Sequence, residues 1–179
     1  MSMTLEFRPA PEEYPAFYAR YVDLLPDGPI LDLLARQVSS TAALLEGIGE
    51  AGAGYRYAPG KWSVKEVTGH VVDVERIFCM RALRFARGDA TPLPGFEQNA
   101  YVAAAGFDRQ PLADLIEALR VTREAALRFF RSLDDDALMR RGTAAGGEFC
   151  VRAVAWIIAG HQAHHVRLLE ERYLPGLSG

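Results

Sequence analysis

The chain has 179 residues, half of them hydrophobic and 24% charged, with a formal net charge of −3. That length fits one compact domain, 1–179, since single cores are commonly built from about 100 to 200 residues; the slight acidity, with arginines interleaved among acids, argues against nucleic-acid binding, which needs a clustered basic surface. No apolar run approaches the roughly 18 to 20 residues of a membrane span, and the N-terminus lacks a basic region followed by an apolar stretch, so no membrane partner and a cytoplasmic location are expected.

After a loose arm over residues 1–10, Glu12 to Leu25 carries Tyr14, Phe17, Tyr18 and Tyr21 at helical spacing before Pro26-Asp27-Gly28-Pro29, which predicts a short capping helix. The first long helix runs from Ile30 to about Glu50 on Leu31, Leu34, Val38, Leu45 and Ile48, a series interrupted by Thr41. Ser63 followed three residues later by Glu66 has the form of a capping box and opens a second helix near Val64, whose inner line is Val67, His70, Val74 and Ile77, flanked by Val71 and Phe78, up to about Arg87. Gly88 to Gln110, rich in Pro and Gly, reads as a long connection with a helical turn around Phe96 to Ala104. A third helix opens at Pro111 and shows Leu112, Leu115, Leu119, Ala126, Phe129 and Leu133 on one line with Thr122 in the gap. A loop over Gly142 to Gly147 precedes a fourth helix, Val151 to Tyr173, ended by Pro175-Gly176. No useful strand alternation appears. Four long helices with one apolar seam each predict an all-α four-helix bundle. Cys79 and Cys150 sit among apolar neighbours and read as free core residues.

The inner line of the fourth helix is Val151, Val154, Ile158, His161, His165 and Leu168, so two histidines at i, i+4 spacing take core positions on one face, while His164 is rotated away. His70 lies near the start of the second helix and this pair near the end of the fourth. If those helices run antiparallel, all three reach one level, and the long connection supports this by leaving helices two and three parallel. Three buried imidazoles without a shared partner would leave ring nitrogens unsatisfied, which points to a divalent metal. Nitrogen ligands suit zinc or nickel, with iron also compatible, and three protein ligands leave positions open for water or substrate. Asp73, one turn beyond His70, either orients a ligand imidazole from behind or serves the helix dipole. Thr41 and Thr122 either line a polar pocket or bond back to their own helices. Trp62 reads as a packing residue closing the end of the bundle, and Tyr57, Glu97 and Tyr101 sit in connections able to fold over the metal.

The string Tyr57-Ala58-Pro59-Gly60-Lys61-Trp62-Ser63-Val64-Lys65-Glu66-Val67, then Gly69-His70 with Asp73 and Glu75-Arg76, and finally Gly160-His161-Gln162-Ala163-His164-His165, resembles the DinB/YfiT-like superfamily. Phe85-Ala86-Arg87-Gly88-Asp89, Leu93-Pro94-Gly95-Phe96 and Arg141-Gly142-Thr143 are similar to its damage-inducible-protein branch, a name that implies no polymerase. The resemblance implies an up-down-down-up bundle, to which the Glu12 to Leu25 reading adds a short extra N-terminal helix, and frequently a homodimer, with nickel or zinc on His70, His161 and His165. It also implies a small-molecule substrate and, in some members, a low-molecular-weight thiol cosubstrate such as bacillithiol or mycothiol, used by S-transferases and a maleylpyruvate isomerase. Other members carry a metal-hydrolase label. Three readings therefore stand: a metal-dependent enzyme activating a thiol, a metal-dependent hydrolase, and a non-catalytic, metal-stapled stress-response dimer. No catalytic residue beyond the ligands is assigned.

Overall fold

The computed structural model describes residues 3–177. A broken N-terminal segment leads through the short helix α1 (Ala19–Val22) to α2 (Ile30–Gly52), and α3 (Val64–Ala86) follows. A connection holding α4 (Gln98–Ala105) then leads to α5 (Leu112–Arg131). The short α6 (Asp135–Met139) and a hairpin of β1 (Arg141–Ala144) and β2 (Gly147–Cys150) precede α7 (Val151–Leu168), and α8 (Leu174–Leu177) closes the described chain. The Ser63 capping box forms as expected: its hydroxyl accepts from the Glu66 N–H at 3.0 Å, and its own N–H donates to the Glu66 carboxylate at 2.9 Å. Gly49, at φ 67°, breaks α2 one turn before its end, a backbone region that favours glycine.

Cross-helix bonds fix the directions of the four long helices. Glu50 at the end of α2 pairs with Lys65 at the start of α3 and accepts from the N–H of Leu112 at the start of α5 at 2.7 Å, so α3 and α5 both run against α2 and parallel to each other. On α7, Gln162 donates to Thr41 of α2 at 2.7 Å, and Ala159 accepts from Gln37 at 3.1 Å, so α7 runs with α2. The bundle is up-down-down-up. Its main core gathers Leu34, Phe78, Phe85, Phe130, Trp156 and Ile158, and each such aliphatic or aromatic burial stabilises the fold by roughly 1.5–3 kcal/mol.

Several expectations are corrected. Pro15 lacks the N–H a helix needs, so Glu12 to Leu25 forms short 3-10 turns at Pro11–Glu13 and Ala16–Tyr18 and only one α-helical turn. The Gly142 to Gly147 stretch contains a hairpin turn in which Ala145 and Gly146 both have positive φ, and Leu93 of the long connection docks beside Ala144. Its strands are too short and glycine-rich to show alternation. Pro175 does not stop the fourth helix: a π turn at Leu169–Tyr173 widens the backbone ahead of the proline ring, and α8 follows. The turn expected around Phe96 to Ala104 is α4, which begins two residues later and ends one residue later.

The seams also differ from the expectation. Phe78 rather than Ile77 is buried in α3, and Phe130 rather than Phe129 in α5, where the break in the apolar line is the buried Arg123 rather than Thr122. On α7 every residue from Ala153 to Gln162 is buried, so this helix has no solvated face there. The N-terminal segment supplies the extra wall, with Tyr14, Val22 and Leu25 in the same core.

Candidate metal centre

The antiparallel run of α3 and α7 brings His70, His161 and His165 to one level, with one ring nitrogen of each within 4.8 Å of the others. The Nε2 of His161 lies 3.2 Å from the Nε2 of His70 and 3.2 Å from that of His165. A ring nitrogen offers one proton or one lone pair, so His161 Nε2 can satisfy one of these contacts by hydrogen bonding and not both. An ion bound by bonds of 2.0–2.1 Å at tetrahedral angles would set its nitrogens about 3.3 Å apart, which this spacing fits. Burial lowers the basicity of all three rings, taking His70 down to about 4, His165 to about 3 and His161 well below the usual histidine range. At neutral pH they are uncharged, the state a metal ligand requires.

A glycine precedes the histidine on each helix. A Cβ at Gly69 would lie 2.3 Å from the Phe107 ring, and one at Gly160 would lie 2.3 Å from the backbone oxygen of Tyr21. Both glycines let a covering segment close onto the site, which is why the N-terminal segment can lay Tyr21 edge-on to His161, 5.4 Å between centroids. Tyr21 also meets His164, which is exposed and off the convergent triad as expected. On the other side the Trp62 indole lies 4.7 Å from His70 and nearly parallel to His165 at 6.5 Å. Trp62 therefore has the expected packing role, against Val102, Phe107 and Leu115, and a second role as a wall of the site. Beyond it lies a cleft of about 200 Å³ lined by Tyr57, Lys61, Asn99, Leu168 and Tyr173, among others.

The remaining candidates separate. Asp73 is half-buried and turns to Arg76 at 3.4 Å on its own helix. Glu97 caps α4 by accepting from the N–H groups of Asn99 and Ala100, and Tyr101 packs on Phe96; neither is brought to the histidines. Thr122 faces an outer groove with Cys79, whereas Thr41 points inward to Gln162. Burial pushes the Cys79 thiol up to about 12 and raises Cys150 too, so neither is an activated nucleophile.

Sequence reasoning missed a second buried polar cluster beside the histidines. Arg123, fully buried, donates from Nε and Nη2 to both oxygens of Glu75 at 2.7 and 2.8 Å, from Nη1 to the Leu34 carbonyl at 2.8 Å, and to the Gln162 amide oxygen. Gln162, between the two histidines of α7, passes the chain on to Thr41. The available signal was a charged residue exactly on a seam, four positions after Leu119 and three before Ala126.

The sequence profile of the DinB superfamily matches residues 33–169. No curated protein sequence matches significantly. Among solved structures, the fold is similar to YfiT from Bacillus subtilis, described as a probable metal-dependent hydrolase with an unusual four-helix bundle topology. That likeness has a TM-score of 0.65 at 13% identity, over 97% of this chain and 92% of that one. A mycothiol-dependent maleylpyruvate isomerase superposes with a TM-score of 0.64 at 18% identity, over 76% of this chain and 58% of that one. The DinB-like protein YjoA from Bacillus subtilis gives 0.59 at 18%, over 84% and 92%. At these identities the likeness is one of fold.

Proposed function

We propose, for a chain that belongs to the DinB superfamily, a metal-dependent enzyme in which His70, His161 and His165 hold one divalent ion, zinc or nickel before iron, that activates a low-molecular-weight thiol for transfer or isomerisation. The observation that carries the reading is the convergence of three neutral imidazoles, with His161 Nε2 at 3.2 Å from the Nε2 of both His70 and His165 and one of those two contacts left unmade by hydrogen bonding. When bound, such an ion lowers the pKa of a thiol or water and so supplies a nucleophile at neutral pH. The chain's own part is to orient the three rings and keep bulk water from them: Trp62 and Tyr21 wall the site from two sides. The cleft behind Trp62, with Lys61 and Asn99, is sized for part of a small polar substrate.

A hydrolase reading is favoured by the near-complete superposition on YfiT, and it differs only in taking water as the nucleophile. Titration calorimetry separates the two. Zinc- or nickel-loaded protein should bind bacillithiol or mycothiol saturably, while metal-free and His70→Ala protein should not. Failure of the loaded protein to bind either thiol removes the thiol reading, and turnover of an ester panel by that same protein would install the hydrolase. The expected homodimer belongs to the same proposal and is read by sedimentation.

A further inference from the structure

His165 is 8% exposed, its Nε2 faces His161, and its Nδ1 is buried without a hydrogen-bond partner. With Nε2 committed to the metal, a neutral imidazole carries its proton on Nδ1, and that N–H needs an acceptor. Beside this ring lies a small cavity of about 10 Å³, lined by Thr41, Thr68, Gln162 and His165 together with apolar side chains including Val71 and Leu45. That is the smallest space able to take one water, which in a protein interior usually makes about three hydrogen bonds. The lining offers them. Thr68 spends its proton on the Val64 carbonyl at 2.8 Å, leaving its oxygen free to accept. Thr41 accepts from Gln162 at 2.7 Å and has a second lone pair.

We propose that this cavity holds one structural water that accepts from His165 Nδ1–H and donates to the hydroxyl oxygens of Thr41 and Thr68, making Thr41 a positioning residue for the metal ligand His165. The inference rests on the metal reading above. It joins the two buried polar clusters: through Thr41 and Gln162 the water links His165 to Arg123 and Glu75, so that all four long helices set the direction of one imidazole. Partners of this kind behind a metal ligand typically change affinity 10–100-fold when removed.

Two measurements on the full chain test it: long-lived buried waters counted by oxygen-17 magnetic relaxation dispersion, and zinc affinity from chelator competition. Thr41→Val should lose one long-lived water and weaken zinc binding about 10-fold, while Thr41→Ser keeps both. Val71→Ile, which adds a methyl to the cavity lining and leaves Thr41 and Gln162 in place, should also lose the water and weaken zinc binding. An unchanged water count in Thr41→Val, or an unchanged zinc affinity in both Thr41→Val and Val71→Ile, overturns the proposal. Wild-type protein that binds neither zinc, nickel nor ferrous iron would overturn the metal reading instead, and the water count would still decide whether the cavity is occupied.

Discussion

Two polar clusters share the interior of this bundle, and they differ in one respect. Arg123, Glu75, Gln162 and Thr41 satisfy one another: a bidentate ion pair, a helix carbonyl and an amide close a network with no unpartnered atom among those four side chains. The histidine cluster does not close. Its central nitrogen faces two others at 3.2 Å, and His165 Nδ1 has no partner. A polar group leaves water at a cost that internal hydrogen bonds must offset, so a closed network reads as architecture and an open one as a place for something else. Adjacency is the second lesson, since Gln162 sits between His161 and His165 and belongs to the closed network while aiming its neighbours into the open one.

Breaking the closed cluster should have the largest effect. Arg123→Met strands the Glu75 carboxylate in the core and is expected to destabilise by about 3–5 kcal/mol in urea unfolding, whereas the double variant Arg123→Met/Glu75→Leu should recover most of that loss. A double variant no better than the single one would show that the pair does more than satisfy itself. The open cluster should respond to its ligand. Zinc at a thousand-fold excess over its dissociation constant adds about 4 kcal/mol, visible as a rise in Tm that a chelator reverses. His70→Ala should abolish that rise while leaving the metal-free Tm little changed.

Smaller changes sharpen the contrast. Gly160→Ala would push a methyl into the Tyr21 carbonyl and is expected to cost about 1–3 kcal/mol by overpacking, lifting Tyr21 from His161 and loosening zinc with it. A stability loss without any change in zinc affinity would mean that the N-terminal wall does not serve the site. Asp73→Asn sits at the small end: its half-exposed pair with Arg76 should be worth less than about 0.5 kcal/mol. A ten-fold loss of zinc affinity in that variant would make Asp73 a partner of a ligand imidazole after all.

The sequence by itself determined the four long helices, the Ser63 cap and the identity of the three convergent histidines. These rest on local rules: a 3.6-residue period, a capping pair, and an i, i+4 spacing that must share a helix face. The up-down-down-up order was implied by the family resemblance, and the long connection supported it by allowing the second and third long helices to run parallel. What tertiary structure alone decided is everything that depends on a neighbour far along the chain. Arg123 is a core residue because Glu75, Leu34 and Gln162 meet it from three other helices. The all-round burial of α7 follows from an N-terminal segment that Pro15 keeps from being a regular helix. The hairpin, with strands of four residues, is held by pairing and by Leu93 rather than by any pattern of its own. Periodicity reports which face of an element is apolar, whereas the partner that satisfies a buried polar group is set by packing, and the hydrogen-bonding need of that group is what the fold must answer.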